Sequence, residues 1–156
     1  MGNSPILVYY DGTDCADDLL LLAAHTSSPN RHLVVLTVNE IPPSLPLYQL
    51  GPDVGTSTRA ALRSARRTAR RAGIQADFEL IRGRDTAQVI VRRAGEIGAR
   101  AIFLPVTENA VHRFFGRMPR LARAVLADAP CPVYIASGHG GKPVQAGSLR
   151  DKRVSL

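Results

Sequence analysis

Apolar residues along this chain fall into short blocks separated by longer stretches of helical composition. PILVYY (5–10) is a run of β-forming residues; after the turn Asp-Gly-Thr-Asp comes CADDLLLLAAHTS, helical in length and content. HLVVLTV (32–38) is continuously apolar, as a strand buried on both faces of a parallel sheet is. A helix is predicted over 57–72, ended by Gly73, and then an alternating strand, QADFELI (75–81). Asp85 with Gln88 has the form of a capping box opening a helix to about 97, followed by the strand ARAIFLP (99–105). A last helix starts at Pro119, where a missing N–H costs nothing, and ends near Asp128; PVYIAS (132–137) is the fifth strand. In the first helix, Thr13 or Asp14 is placed to cap, and Asp17 and Asp18 sit in the first turn, where the helix dipole favours negative charge.

Two segments break this rhythm. NEIPPSLPLYQLGPDVGTS holds four prolines and two glycines, which argue against regular structure. GHGGKPVQAGSLRDKRVSL (138–156) has little apolar periodicity and four basic residues against one acidic, and reads as a flexible basic tail beyond a single domain at 1–137.

Repeated strand–helix units predict a doubly wound five-stranded parallel sheet with helices on both faces. Such sheets bind ligands outside the carboxyl ends of the strands, where the strand order reverses. That singles out Asp11, after the first strand, and the loop from Val106, after the fourth. Tyr9 and Tyr10 precede Asp11, and strand alternation turns one of them toward this point, to stack on a base or to fill its place.

With 156 residues, 45% of them hydrophobic, the chain has the length of one domain and enough apolar side chain for a core. Its longest apolar run, Leu19 to Ala24, is far short of a membrane span, and the N-terminus lacks the pattern of a signal peptide, so a soluble cytoplasmic protein is expected. Cys15 and Cys131 lack CxxC spacing and read as reduced packing residues. His25, His32, His112 and His139 lie in different elements without metal-ligand spacing, and no serine stands in a G-x-S-x-G elbow. Neither a metal site nor catalysis is expected.

ILVYYDGTD, VVLTVNE, IRGRDTAQVIV and VLADAPCPVYI, in this order, resemble four segments of the universal stress protein family. The resemblance runs from about residue 5 to 137. It implies an adenine nucleotide alpha hydrolase-like sheet of order 3-2-1-4-5. It also implies a homodimer through the fifth strand, here Val133, Tyr134, Ile135 and Ala136, and a regulatory, stress-linked role without conventional enzyme activity. In one branch of the family it implies ATP or AMP as ligand. That branch carries Gly-x-x-Gly, nine residues, then Gly-Ser or Gly-Thr; glycines let phosphates approach backbone N–H groups, and the last pair opens a helix toward them. Counted back from Ala-Pro-Cys-Pro-Val, these positions are Val106, Asn109, Pro119 and Arg120, so all four are substituted. Weak or absent ATP binding is therefore expected. Asp11 and Val38 stand at the family's adenine-contacting positions, although Asp11 would equally serve to cap a turn and Val38 to fill the core.

Two arginine groups carry further chemistry. Arg113, Arg117 and Arg120, with Arg123 one turn on, surround the expected start of the last helix, either as a rearranged phosphate site of guanidinium forks or as a solvated rim. In STRAALRSARRTARRAG, Arg59, Arg63, Arg66, Arg67, Arg70 and Arg71 fall within an arc of about 140° at helical spacing, opposite Ala61, Leu62, Ala65, Ala69 and Ala72. The helix holds no acidic residue in a chain of net charge +7. This face is either exposed arginine without a partner or a polyanion-binding face for RNA, the ribosome, an acidic protein or a membrane. No aromatic residue interleaves it, so base stacking is not implied.

Overall fold

The computed structural model describes residues 4–27, 32–46, 56–106, 119–137 and 144–146. Within them the chain forms β1 (Ile6–Tyr9), α1 (Asp14–Thr26), β2 (Leu33–Glu40), α2 (Thr56–Ala72), β3 (Asp77–Gly83), α3 (Thr86–Ile97), β4 (Ala101–Val106), α4 (Arg120–Asp128), β5 (Val133–Ser137) and β6 (Val144–Ala146). The sheet order is β3-β2-β1-β4-β5-β6. β1 to β5 are parallel, with β1 between β2 and β4, so the chain reverses its direction of travel at the carboxyl end of β1.

Strand alternation sorts the core into two faces. Leu7, Val34, Leu36, Val38, Ile102, Leu104 and Val133 pack under α3 and α4 against Ala87, Ile90, Ala94, Ala122, Val125 and Leu126. Ile6, Val8, Leu33, Ala101, Phe103 and Ala136 pack under α1 against Leu19 and Ala23. Val35 and Tyr10 meet Ala16, Leu20 and the alanines of α2 on the same side of the sheet. Because β1 and β2 are covered on both faces, their side chains are apolar almost without interruption.

The ends follow local chemistry. Thr13 caps α1 by accepting from the Ala16 N–H at 3.2 Å, and Asp85 caps α3 by accepting from Gln88 at 3.3 Å. Gly98 closes α3 in the left-handed conformation that glycine adopts without a Cβ penalty. Pro119 is the N-cap of α4 rather than its first helical residue, and no side chain caps that helix.

One element departs from the sequence reading. The segment read as a tail contains β6, which pairs antiparallel with β5 through Val133↔Ala146, Tyr134↔Gln145 and Ile135↔Val144. Three residues between glycine- and proline-containing stretches are too few to show periodicity, and the pairing is made by backbone groups, which leave no mark on side-chain pattern.

β5 itself is committed to the fold. Val133 and Ala136 are buried in the two core faces, and the ring of Tyr134 stacks on Phe103 with centroids 4.9 Å apart and planes 15° from parallel. Ile135 packs against the α3/α4 layer. Cys131 is buried, which pushes its thiol up to about 11, and the Cys15 thiol donates to the Ala136 carbonyl at 3.3 Å.

Candidate functional site

The carboxyl end of β1 leads directly into a tight turn. Tyr10 continues the pairing for one residue by donating its N–H to the Leu36 carbonyl at 2.9 Å. Asp11 then folds back on the turn: its Oδ1 accepts from the Thr13 N–H at 3.1 Å and the Thr13 hydroxyl at 2.6 Å. Gly12 between them has φ +85°, the left-handed region. Since the Thr13 hydroxyl oxygen also caps α1, the Asp11 carboxylate is coupled through one side chain to a helix N-terminus. Asp11 is exposed, and among the described residues its Oδ2 takes no hydrogen bond. The turn-capping role and a ligand-facing role are thus compatible, because each uses a different carboxylate oxygen.

The two tyrosines go opposite ways. Tyr10 is fully buried on the α1/α2 face, where its hydroxyl donates to Asp17 Oδ1 at 2.6 Å and shares a 3.1 Å hydrogen bond with Ser64. Thr68 also donates to Asp17 Oδ1, at 2.7 Å, so β1, α1 and α2 meet in one polar knot. Tyr10 is therefore a structural residue and leaves the candidate site. Tyr9 is half-buried and packs at the edge of the α3/α4 core. Burial, then the carboxylates of Asp11 and Glu40, push its phenol up to about 12. At neutral pH it is an uncharged donor at the rim of the reversal point.

Glu40, at the end of β2, was not singled out by the sequence reading; it stands near Tyr9 and accepts from the Thr86 hydroxyl at 2.6 Å. The chain after it is tied to the neighbouring connection, Ile41 N–H to the Gly83 carbonyl at 2.8 Å and Arg84 to the Pro42 carbonyl at 2.7 Å. Val38 is 9% exposed and belongs to the α3/α4 core beneath this end of β2. The described end of the cleft is thus acidic at Asp11 and Glu40, a setting that suits a neutral ring bearing amino donors and repels a phosphate.

A phosphate would have to lie toward β4 and α4. Val106 is the last residue of β4 and pairs with Ser137. Pro119 has no N–H to donate at the N-terminus of α4, and Arg120 and Arg123 are exposed on its first turn. Asn109, His112, Arg113 and Arg117 lie outside the described residues, as does His139. No group of three or more His, Cys, Asp or Glu side chains is placed to hold a metal ion among the described residues.

The fold and this turn define a doubly wound α/β domain. The model of the universal stress protein family matches residues 2–137, and the chain belongs to that family. Among solved structures, a universal stress protein from Archaeoglobus fulgidus in complex with dAMP is similar at 23% identity, over 85% of this chain and 96% of that one, with a TM-score of 0.66. The universal stress protein UspA from Lactobacillus plantarum is similar at 20% identity over 86% and 98% of the two chains, with a TM-score of 0.64. A family protein from Arabidopsis thaliana with AMP bound is similar at 11% identity over 88% and 93%, with a TM-score of 0.60. These likenesses show the fold. No curated protein matched the chain.

Proposed function

We propose that this chain is a non-catalytic regulatory module that keeps the base-binding end of an adenine-nucleotide site and has lost its triphosphate cradle. The carrying observation is the Asp11 turn: a carboxylate fixed through Oδ1 by Thr13, with Oδ2 left to accept from an exocyclic amino group, beside the neutral phenol of Tyr9. The AMP and dAMP complexes of the two similar structures support a nucleoside monophosphate as the ligand class. Pro119 at the N-cap of α4, which brings a ring and no N–H where the family's cradle has a glycine, supports the loss of the cradle.

Titration calorimetry on nucleotide-free protein tests both halves. AMP is expected to bind in the high micromolar range and ATP no more than about threefold tighter, with Asp11→Ala weakening AMP by about tenfold, equivalent to ~1.4 kcal/mol. Failure of AMP to bind the unmodified chain removes the base-binding half. ATP binding tenfold or more tighter than AMP means that the loop arginines have rebuilt the cradle.

The oligomeric state is part of the same proposal. A dimer through β5 needs a free strand edge, and β6 occupies that edge. The full chain is therefore expected to sediment as a monomer at ~20 μM, a typical range for weak association, and a chain ending at Ser137 to shift toward dimer. A full-length dimer with β6 still paired would place the interface elsewhere than β5.

A further inference from the structure

The arginine helix holds six cations that the nucleotide reading does not use. Arg59, Arg63, Arg66, Arg67, Arg70 and Arg71 are all exposed on α2. Among the described residues none forms an ion pair; Arg66 lies over the Phe78 ring, 5.7 Å from its centroid. Arg93 shows what this fold does with a structural arginine: it reaches Glu79 through two nitrogens, each at 2.7 Å, and Glu96 at 3.0 Å. Among the described residues the carboxylate that α2 engages is Asp17 of α1, through Thr68, and it is shared with Tyr10. Like charges at i, i+4 spacing along Arg59, Arg63, Arg67 and Arg71 repel, so the face is destabilising until an anion covers it.

The shape of the helix narrows the partner. Ala61, Ala65 and Ala69 are buried against the sheet, so α2 cannot lay an apolar face into a bilayer. α2 packs on β2 and β3, with β3 the outermost strand, and among the described helices its neighbour on this side of the sheet is α1. Among the described residues it lies at the β3 edge of the sheet. Its arginines span about 18 Å and spread over about 140°, and a rod about 10–12 Å in diameter with charges on both flanks calls for a concave partner with anionic walls. A flat anionic surface meets one meridian of that arc. The B-form major groove, about 12 Å wide and walled by phosphates, meets both flanks, whereas the major groove of duplex RNA is too narrow.

We propose that α2 docks along the major groove of double-stranded DNA through phosphate contacts, without sequence readout. Anisotropy of a fluorescein-labelled 30-base-pair mixed-sequence duplex, titrated at 25 to 200 mM KCl, is the test. The expected log–log salt slope is about −5, from six contacts at about 0.9 each. Replacing Arg63, Arg67 and Arg70 by Gln is expected to bring the slope to about −2.5 and to weaken binding at 50 mM salt by about two orders of magnitude or more. The triple Lys variant keeps the slope, and unchanged circular dichroism with a melting temperature no lower than that of the unmodified chain confirms that both variants fold. Four results overturn the proposal. They are no binding at 25 mM salt, a slope that ignores the Gln triple, an RNA duplex of the same sequence binding as tightly as DNA, and polyglutamate or phosphatidylglycerol vesicles competing equally at matched charge.

Discussion

Replacing Tyr10 with alanine is expected to lower the unfolding free energy by about 3–5 kcal/mol, and Tyr10→Phe by about 1–3 kcal/mol. The two numbers separate two roles of one side chain. Its ring is fully buried among Ala16, Leu20, Val35, Ala61, Ala65 and Ala69, small neighbours on two helices and a strand that cannot collapse into the space it would leave. Its hydroxyl gives Asp17 one of two hydrogen bonds, and Phe leaves that partly buried carboxylate with Thr68 alone. Urea unfolding followed by circular dichroism at pH 7 reads both variants. A Tyr10→Phe loss below 0.5 kcal/mol would show that water replaces the phenol at no cost. The pH dependence adds a second reading of the same contact. Burial, then the hydrogen bond to Asp17, raises the Tyr10 phenol from an ordinary value near 10 to about 12. Its folded value lies above its unfolded one, so this stabilisation is fully present below pH 10 and is lost as pH rises from about 10 to 12. Tyr10→Phe is expected to flatten that alkaline decline, and Tyr9 and the buried Cys131 thiol, raised to about 11, carry part of what remains.

The fold was legible because β1, β2, β4 and β5 are self-contained apolar blocks and α1 and α3 carry their own end signals. Asp85 and Gly98 bracket α3 and Thr13 opens α1, all with local chemistry that the chain spells out. The site was legible in its turn and illegible in its directions. Alternation says that Tyr9 and Tyr10 point to opposite faces; which face holds the ligand side depends on where α2 lands, a long-range fact fixed by Ser64 and Thr68, more than fifty residues away. Asp17 looked like a dipole-favoured residue of the first turn and is in addition the centre of a knot between three elements. Glu40 gave no signal because its place beside Tyr9 comes from the parallel register of β1 with β2, set by Ile6↔Leu33 through Tyr9↔Leu36. The exposure of the six arginines, by contrast, was legible from helical spacing, which turns Ala61, Ala65 and Ala69 to the sheet, although Ala72, placed on the same side, is exposed.

Gly12→Ala is expected to cost about 2–3 kcal/mol and to weaken nucleotide binding in parallel. Two separate penalties act at this position. At φ +85° an L-residue with a Cβ is strained by about 1–2 kcal/mol whatever its surroundings. The new Cβ would also stand 3.2 Å from the Cβ of Ala61, tighter than ordinary contact, so α2 or the turn must shift. A shift of the turn moves Asp11 and Thr13 together, because the Thr13 N–H and hydroxyl both hold the Asp11 carboxylate. The double variant Gly12→Ala with Ala61→Gly tells the penalties apart. Removing the facing Cβ relieves the contact and leaves the backbone strain. Glycine in the middle of α2 adds about 1 kcal/mol of its own, so the coupling energy of the cycle, not the double variant's stability, is the quantity to read. A favourable coupling of about 1 kcal/mol assigns that share of the loss to the contact. Zero coupling means that the turn yields without disturbing α2, and the whole cost is then the left-handed backbone that lets β1 hand Asp11 to the mouth of the sheet.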